Sequence, residues 1–492
     1  MKRNYFKIES LLLGTLLLFS CFIRFYQINR LDFFTYDQAR DALYIKRILI
    51  DHKFRLIGTQ SSIPGLYTGP AYYYLMTPFL FFFNFSPIGI DFATAVFGVL
   101  TVFLAYYLVK LLTDNYLAGI MVSFLYSTQA QILEQSRFSW NPNPGPLFFV
   151  LFLLGLYKIL KDGKRWWVIV FPSLAILLQL HYSGVCLIPV LILFIFVNRK
   201  KISLDKWFYF SIIFFILLMS PLGLFDLRHN FTGTKAIINY LKHGTGGKIP
   251  PPPFAVGFIE KLKYLLVELP FGVKNRFLSS FLLTGVVLGL VIDWVKNKDN
   301  RSLLLILLLT LILGIVVASG YKGSFFNFYL TLMYPLGFLL VGYFLKGKNQ
   351  KTFFNLLVIA VFILIFSKNL VKIIPLLPRK DAAPGLKSVA GLIAADVDKM
   401  TAFNLIGILG EGRFDYNAVD YRYFLETFFQ KKALDWDVLD YREAKVVYLI
   451  SSVGPVEPLK LKVWELQQFS PKQVVDHWEI NQGETIVYKL IK

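Results

Sequence analysis

The chain has 492 residues, is 56% hydrophobic and 17% aromatic, and carries only 17% charged residues, where soluble domains hold about 25%. That deficit excludes an ordinary water-soluble protein, and apolar blocks of roughly 15 to 25 residues without alternation exclude a β-barrel. The net charge of +21, from 52 Lys and Arg against 31 Asp and Glu, sits largely in short loops such as Asn198-Arg199-Lys200-Lys201 and Lys346-Gly347-Lys348; there it orients a membrane protein, and no nucleic acid is expected as a partner.

Met1-Lys2-Arg3 precedes the first apolar run, 11–28, which is expected to remain as an uncleaved span. Phe19 is too bulky before Ser20-Cys21 for a lipoprotein site, and no Ala-x-Ala-like site follows. Further spans are predicted at 88–112, 116–132, 147–160, 166–180, 185–197, 207–224, 277–295, 303–318, 326–344 and 353–366, eleven in all. With the N-terminus in the cytoplasm, the basic clusters at 161–165, 199–201, 296–301 and 346–351 all fall inside, and the C-terminus falls outside. The run 70–85 is read as a re-entrant or interfacial helix, because a crossing there would reverse every later basic loop. The expected location is the cell (plasma) membrane, with membrane lipids as neighbours.

Two loops face outward in this scheme, 30–69 and 226–276. The second carries eight basic residues, Arg228, Lys235, Lys242, Lys248, Lys261, Lys263, Lys274 and Arg276, against the positive-inside rule, as if facing an anionic headgroup. Within it, 258–269 reads as a helix lying at the interface, after the stiff spacer Pro250 to Pro253. The division predicted is a membrane domain over 1–372 and an extracytoplasmic α/β domain over 376–492, roughly 115 residues with a core of its own. Strands are expected at 403–409 and 445–451, a helix at 421–430, and a hairpin over 478–491 turning at Asn481-Gln482-Gly483. Cys21 and Cys186 are too far apart in sequence to suggest a disulfide framework, and Gly244-Thr245-Gly246-Gly247 lacks the strand and helix of a nucleotide loop.

The chemistry concentrates after the first span, in Thr35-Tyr36-Asp37-Gln38-Ala39-Arg40-Asp41-Ala42-Leu43-Tyr44, where two carboxylates and an arginine lie within one helical turn. Gly69-Pro70-Ala71-Tyr72-Tyr73-Tyr74 then enters the next apolar segment. Gln135-Ser136-Arg137-Phe138, His181-Tyr182, the stretch from Pro221 to Thr234, and Tyr329 with Pro335 follow in order. On these residues, over roughly its first 370 positions, the chain resembles the GT-C membrane glycosyltransferases, and within them family 39, which holds the protein mannosyltransferases and lipid A aminoarabinose transferases. It departs from that family's pattern at Gln38, where Glu is common, at Thr68 and Gly69 (Lys), at Asn141 and Asn143 (an acid), and at Phe328 (Arg).

The resemblance implies a polytopic α-helical, GT-C-like membrane protein of about eleven spans plus a re-entrant or juxtamembrane helix, ending in a small α/β domain. It also implies inverting transfer of a sugar from a polyprenyl phosphate carrier to a protein, lipid or glycan acceptor on the outer face. Asp37 would be the general base; Arg40, Arg137, Arg228, His229 and Lys322 are candidates for the donor phosphate. Gln38, Asp41, Tyr72, Asn143, His181 and Tyr321 are candidates for the rest of the pocket. No cofactor is expected to be required, and a divalent cation stays open. Each residue also has a plainer role: Asp37 as a helix cap, Asp41 as a partner of Arg40 or Lys46, Arg137 as a snorkelling side chain, Arg228 and His229 as solvated loop, Lys322 and Tyr321 as interfacial anchors, and His181 as a packed histidine. Rival readings are a lipid-linked oligosaccharide transporter or flippase, which should carry ionisable residues near mid-membrane, and an O-antigen ligase or polymerase, favoured by the basic 226–276 loop. A receptor or scaffold role for the C-terminal domain is a third.

Overall fold

The computed structural model describes residues 2–31, 34–244, 252–296, 301–343, 383–398, 401–408, 417–435, 437–480 and 484–492. The chain forms two compact units: Met1–Tyr26, Lys53–Met76 and Asp91–Pro375 make the first, and Gln27–His52, Thr77–Ile90 and Leu376–Lys492 the second.

The first unit is a bundle of helices. Ten of the eleven predicted spans coincide with helices, among them Lys2–Phe25, Ile88–Thr113, Gly145–Lys161, Lys206–Arg228 and Arg301–Ser319; the eleventh, 353–366, lies outside the described residues. Lys7–Phe25, Ile88–Thr113 and Lys206–Arg228 are each long and apolar enough to cross a membrane. Local caps set several boundaries. Asn115 accepts from the amides of Leu117 and Ala118 to start Tyr116–Thr128, and Asp205 accepts from Trp207 to start Lys206–Arg228. Helix Gly145–Lys161 lies in the core, with Phe149, Val150, Phe152 and Leu156 fully buried. By contrast, Lys206–Arg228 leaves Ile213, Phe214, Ile216 and Leu217 exposed, a surface suited to lipid and unsuited to water.

Two segments need separate accounts. Helix Ala71–Phe82 has 12 residues with Pro78 inside it, and at 1.5 Å per residue it spans ~18 Å, short of a ~30 Å hydrocarbon layer. The predicted surface helix at 258–269 is helical; its first turn is exposed, with Ile259 at 56%, but its C-terminal half is buried. Leu265, Leu266, Val267 and Leu269 are at most 1% exposed in the main core. With Tyr264 also buried, Tyr264 to Val267 are four consecutive buried side chains that cover every face of the turn. The lysines that argued for an interface are accommodated locally: Lys263 pairs with Glu268 at 3.5 Å, and Lys261 sits over the Phe325 ring. The chain there makes a π turn, Tyr264–Glu268, and bends by 99° into the following helix.

Gly337 shows how tightly this region packs. A Cβ placed there would overlap the carbonyl oxygen of Leu265, which belongs to a backbone that cannot swing away. Gly337→Ala should therefore cost about 1–3 kcal/mol, measured as a lower unfolding temperature of the detergent-purified protein; an unchanged value would show that the bundle yields at this point.

The C-terminal part of the second unit is a four-stranded sheet of order β1-β2-β4-β3, with β1 Phe403–Ile408, β2 Val446–Ser451, β3 Gln473–Ile480 and β4 Thr485–Ile491. β1 and β2 run parallel, Phe403 opposite Val446; β4 is antiparallel to both β2 and β3. β1, β2 and β4 fall within a residue or so of the predicted runs, helix Val419–Phe428 lies two residues before the predicted 421–430, and β3 begins at Gln473, five residues before the predicted hairpin; the turn at 481–483 lies outside the described residues. The core gathers Ile406, Tyr441, Val447, Leu449 and Phe469. Arg422, only 6% exposed, is absorbed by the carbonyls of Asn417, Leu434 and Leu405 and by the side chain of Asn404.

Asp396 ends helix Ala383–Asp396 and ties it to the sheet, accepting from Lys489 Nζ at 2.7 Å and Tyr448 Oη at 2.5 Å. Partial burial acts to raise its pKa, but the lysine and tyrosine outweigh this and hold it below the ordinary carboxylate value. A carboxylate depressed in the folded state stabilises above its unfolded pKa, and that stability is lost as pH falls through the folded value. Amide exchange in β4 of the full-length protein should thus accelerate below about pH 4, and less so in Asp396→Asn; identical acid profiles for both proteins would dismiss this link.

Candidate functional site

Helix Tyr36–Ile50 carries the predicted reactive stretch and belongs to the second unit. Its N-terminus is fixed by Thr35, whose amide and hydroxyl both donate to Gln38 Oε1, at 3.1 and 2.5 Å. Gln38 is 3% exposed and acts as a cap. The pattern Thr35-x-x-Gln38 is a capping box, the sequence signal that reveals this role.

One face of the helix, Ala39, Ala42, Leu43, Ile45 and Ile48, is buried. It packs in the same unit as helix Val419–Phe428, and Lys46 Nζ reaches Glu426 Oε1 at 3.0 Å. Phe34 meets the rings of Tyr423 and Phe424 at 5.3 and 5.4 Å. Lys46, which the sequence offered as a partner for Asp41, pairs with Glu426 instead, a contact 380 residues apart that no local pattern announces.

This docking separates the two carboxylates. Asp41 falls on the buried face at 1% exposure, and Arg40 Nη2 and Nε both donate to its Oδ1, at 2.9 and 3.0 Å. Asp37, one turn earlier, keeps a side chain 42% exposed and is contacted by Arg40 Nη1 at 2.8 Å. Arg40 also lies over the Tyr36 ring. A single guanidinium therefore holds both acids, neutralising the buried one and orienting the exposed one. Chemically, the arrangement offers one exposed, oriented carboxylate to an incoming hydroxyl.

The other candidates lie in the first unit. Arg137 is 7% exposed and donates to the carbonyls of Ile23 and Tyr26 at 3.3 and 2.8 Å, at the C-terminus of the first helix, where a cation complements the helix dipole. Tyr72 is buried and hydrogen-bonds Ser139 Oγ, while Asp91 accepts from Ser139 N at 2.7 Å. Gln179 closes the entry to helix Ala71–Phe82: its carbonyl accepts from Gly69 N and its side-chain oxygen from Ala71 N. Asp91 and Gln179 were missed from sequence, although each is a lone polar residue in an apolar block.

Arg228 is exposed, and the neighbouring His229 stacks on Phe225 at 4.1 Å and bonds its carbonyl through Nδ1. Helix Thr232–His243 follows; Lys322 Nζ donates to Leu241 O near its end at 2.7 Å, and Tyr321 Oη meets Ser62 Oγ at 2.8 Å. His181 lies between two helices, with Nδ1 accepting from Ser183 N at 3.1 Å and its ring 5.4 Å from Tyr329. Burial lowers its pKa to about 4, so the ring is neutral near pH 7 and carries its proton on Nε2. Asn143 donates to Phe138 O, while its buried Oδ1 has no partner among the described residues. Among those residues no three His, Cys, Asp or Glu side chains gather to hold a metal ion.

Residues 67–225 match the family model described as dolichyl-phosphate-mannose-protein mannosyltransferase. Among solved structures, the chain is similar to ArnT from Cupriavidus metallidurans bound to undecaprenyl phosphate, with a TM-score of 0.60 and 12% identity, covering 99% of this chain and 98% of that one. The apo state of that protein matches at 0.59 and 12%, covering 98% and 97%. The oligosaccharyltransferase of Archaeoglobus fulgidus in complex with zinc and sulfate matches at 0.51 and 14%, covering 90% of this chain and 68% of that one. No curated protein sequence matches the chain. At these identities the likeness is one of fold.

Proposed function

We propose, for a chain that has the helical GT-C fold and bears the mannosyltransferase signature over 67–225, that it transfers a sugar from a polyprenyl-phosphate-linked donor to an acceptor hydroxyl on the outer face of the membrane. The N-terminus is cytoplasmic and the C-terminal domain extracytoplasmic in this reading. ArnT, a fold relative, holds undecaprenyl phosphate, which supports a lipid-linked donor here. The observation that carries the mechanism is the separation of Asp37 from Asp41 by burial and by Arg40.

In the reaction, Asp37 takes the proton of the acceptor hydroxyl as its oxygen attacks the anomeric carbon. The bond from that carbon to the phosphate oxygen breaks on the opposite side, the electron pair leaves with the polyprenyl phosphate, and the configuration inverts. Negative charge grows on the leaving phosphate, which calls for cationic groups around it. Arg228, His229 and Lys322 belong to the basic outer loop region and serve that need, and the exposed Arg228 makes no ion pair among the described residues. Arg40 orients the base, and Arg137 holds the carbonyls that end the first helix.

The test is to incubate purified protein with polyprenyl phosphates bearing different sugars and an acceptor panel, and to follow release of free polyprenyl phosphate. Acceptor-dependent release supports transfer. Movement of intact donor across a vesicle membrane without bond cleavage would replace it with the flippase reading.

A further inference from the structure

Five half-buried rings of the first unit form a continuous series. Trp140 lies 4.8 Å from Phe328, Phe328 4.7 Å from Tyr329, Tyr329 5.6 Å from Tyr321, and Tyr321 6.0 Å from Tyr240, ring centre to ring centre. These spacings are those of packed aromatic pairs, yet none of the five rings is fully buried, as core rings in this bundle such as Tyr334 and Tyr343 are. The series begins at the turn before helix Gly145–Lys161. It ends at a cavity of about 180 Å³ that Tyr240 lines with Ile63, Pro64, Asn239 and His243.

Polar groups accompany the rings, and at the far end the Lys322 backbone N–H donates to Tyr240 Oη at 3.0 Å. In the turn that supplies Trp140, Asn143 is 9% exposed and leaves Oδ1 buried and unpartnered among the described residues, an acceptor that calls for a donor. Asn141 ties that turn to the carbonyl of Leu180, next to His181, at 2.7 Å. His181, against Tyr329, uses Nδ1 on Ser183 and presents Nε2 as a neutral donor. A ligand matching this set has flat apolar faces to lie on rings, hydroxyls to donate to an amide oxygen and accept from an imidazole, and several such units in a row. Sugars in a chain have these properties, and a polyprenyl tail lacks the hydroxyls.

We propose that the series from Trp140 to Tyr240 is a binding track for an oligosaccharide, so that the acceptor is a glycan of more than one sugar. Only the word acceptor rests on the transfer reading; binding is measured without turnover.

The experiment titrates the full-length protein in lipid nanodiscs with monosaccharides and linear trisaccharides of glucose, mannose, galactose, N-acetylglucosamine and rhamnose, read by calorimetry and saturation-transfer NMR. At least one trisaccharide should bind about tenfold or more tighter than its monosaccharide. That preference should fall in Trp140→Ala and in Tyr240→Ala and survive in Tyr240→Phe, which keeps the ring and reports on folding. Equal binding of trisaccharide and monosaccharide in all five series would overturn the track, as would an undiminished preference in both alanine variants. Tighter binding of bare undecaprenyl phosphate, weakened by the same two variants and without saccharide preference, would overturn it in favour of the lipid tail. Asp37→Asn should bind the trisaccharide like wild type. If that variant turned over normally, the base assignment would fall and the track would stand; if it were inactive while no saccharide bound, the track would fall and the base would stand.

Discussion

Asp37→Asn should lower sugar transfer by about 10²- to 10⁴-fold while the protein still expresses and runs as a single species in detergent. The substitution keeps the shape of the side chain, and an amide oxygen can still accept from Arg40 Nη1, now 2.8 Å from Asp37 Oδ1. What it removes is the ability to take a proton from the attacking hydroxyl. Its structural cost is small, because an exposed acid in the first turn of a helix stabilises by only about 0.3–1 kcal/mol. Rate and stability thus separate in this variant. The measurement is acceptor-dependent release of polyprenyl phosphate from matched amounts of wild type and variant. Normal turnover would defeat the assignment of Asp37 as base.

Arg40→Ala should act in the reverse order, on folding first. Asp41 is 1% exposed and is contacted twice by this guanidinium, and removing one member of a buried pair costs about 3–5 kcal/mol, because the remaining charge is poorly solvated. The loss should appear as faster amide exchange across helix Tyr36–Ile50 and through the unit that contains it, with a fall in unfolding temperature. Adding Asp41→Asn to Arg40→Ala should restore much of that stability, since a neutral amide is cheaper to bury. Lysine should be a poor substitute, because one ammonium cannot reproduce three directed bonds to two carboxylates. If Arg40→Ala were as stable as wild type, Asp41 would have to be neutral or solvated in the protein, and the separation of the two acids would lose its basis.

Different parts of the molecule were legible to different degrees, for definite reasons. The long apolar blocks, such as 88–112 and 207–224, announce helices because nothing in their composition permits alternation. The runs at Phe403–Ile408 and Val446–Ser451 are buried on both faces and announce strands by their short length and their β-branched and aromatic residues. The capping function of Gln38 was available in Thr35-x-x-Gln38 and went unread. The burial of Leu265 and Val267 was concealed by neighbouring lysines, which look solvated until Glu268 and Phe325 are seen beside them. The candidate phosphate ligands illustrate the limit most clearly. Arg137 has the same charge as Arg228, but it is enclosed and bonded to the carbonyls that end the first helix, whereas Arg228 is exposed.

By itself the amino-acid sequence determined the solvent of this protein, its helical class, the likeness to GT-C transferases and the stretch in which two acids and an arginine meet. These properties reside in local runs of residues, and local runs obey local rules. Only the tertiary structure decided which of Asp37 and Asp41 faces outward, what Arg40 and Arg137 hold, and that helix Tyr36–Ile50 packs with residues nearly four hundred positions away. A carboxylate's role depends on its burial and its partner, and both are set by contacts between segments whose separation leaves no trace in local pattern.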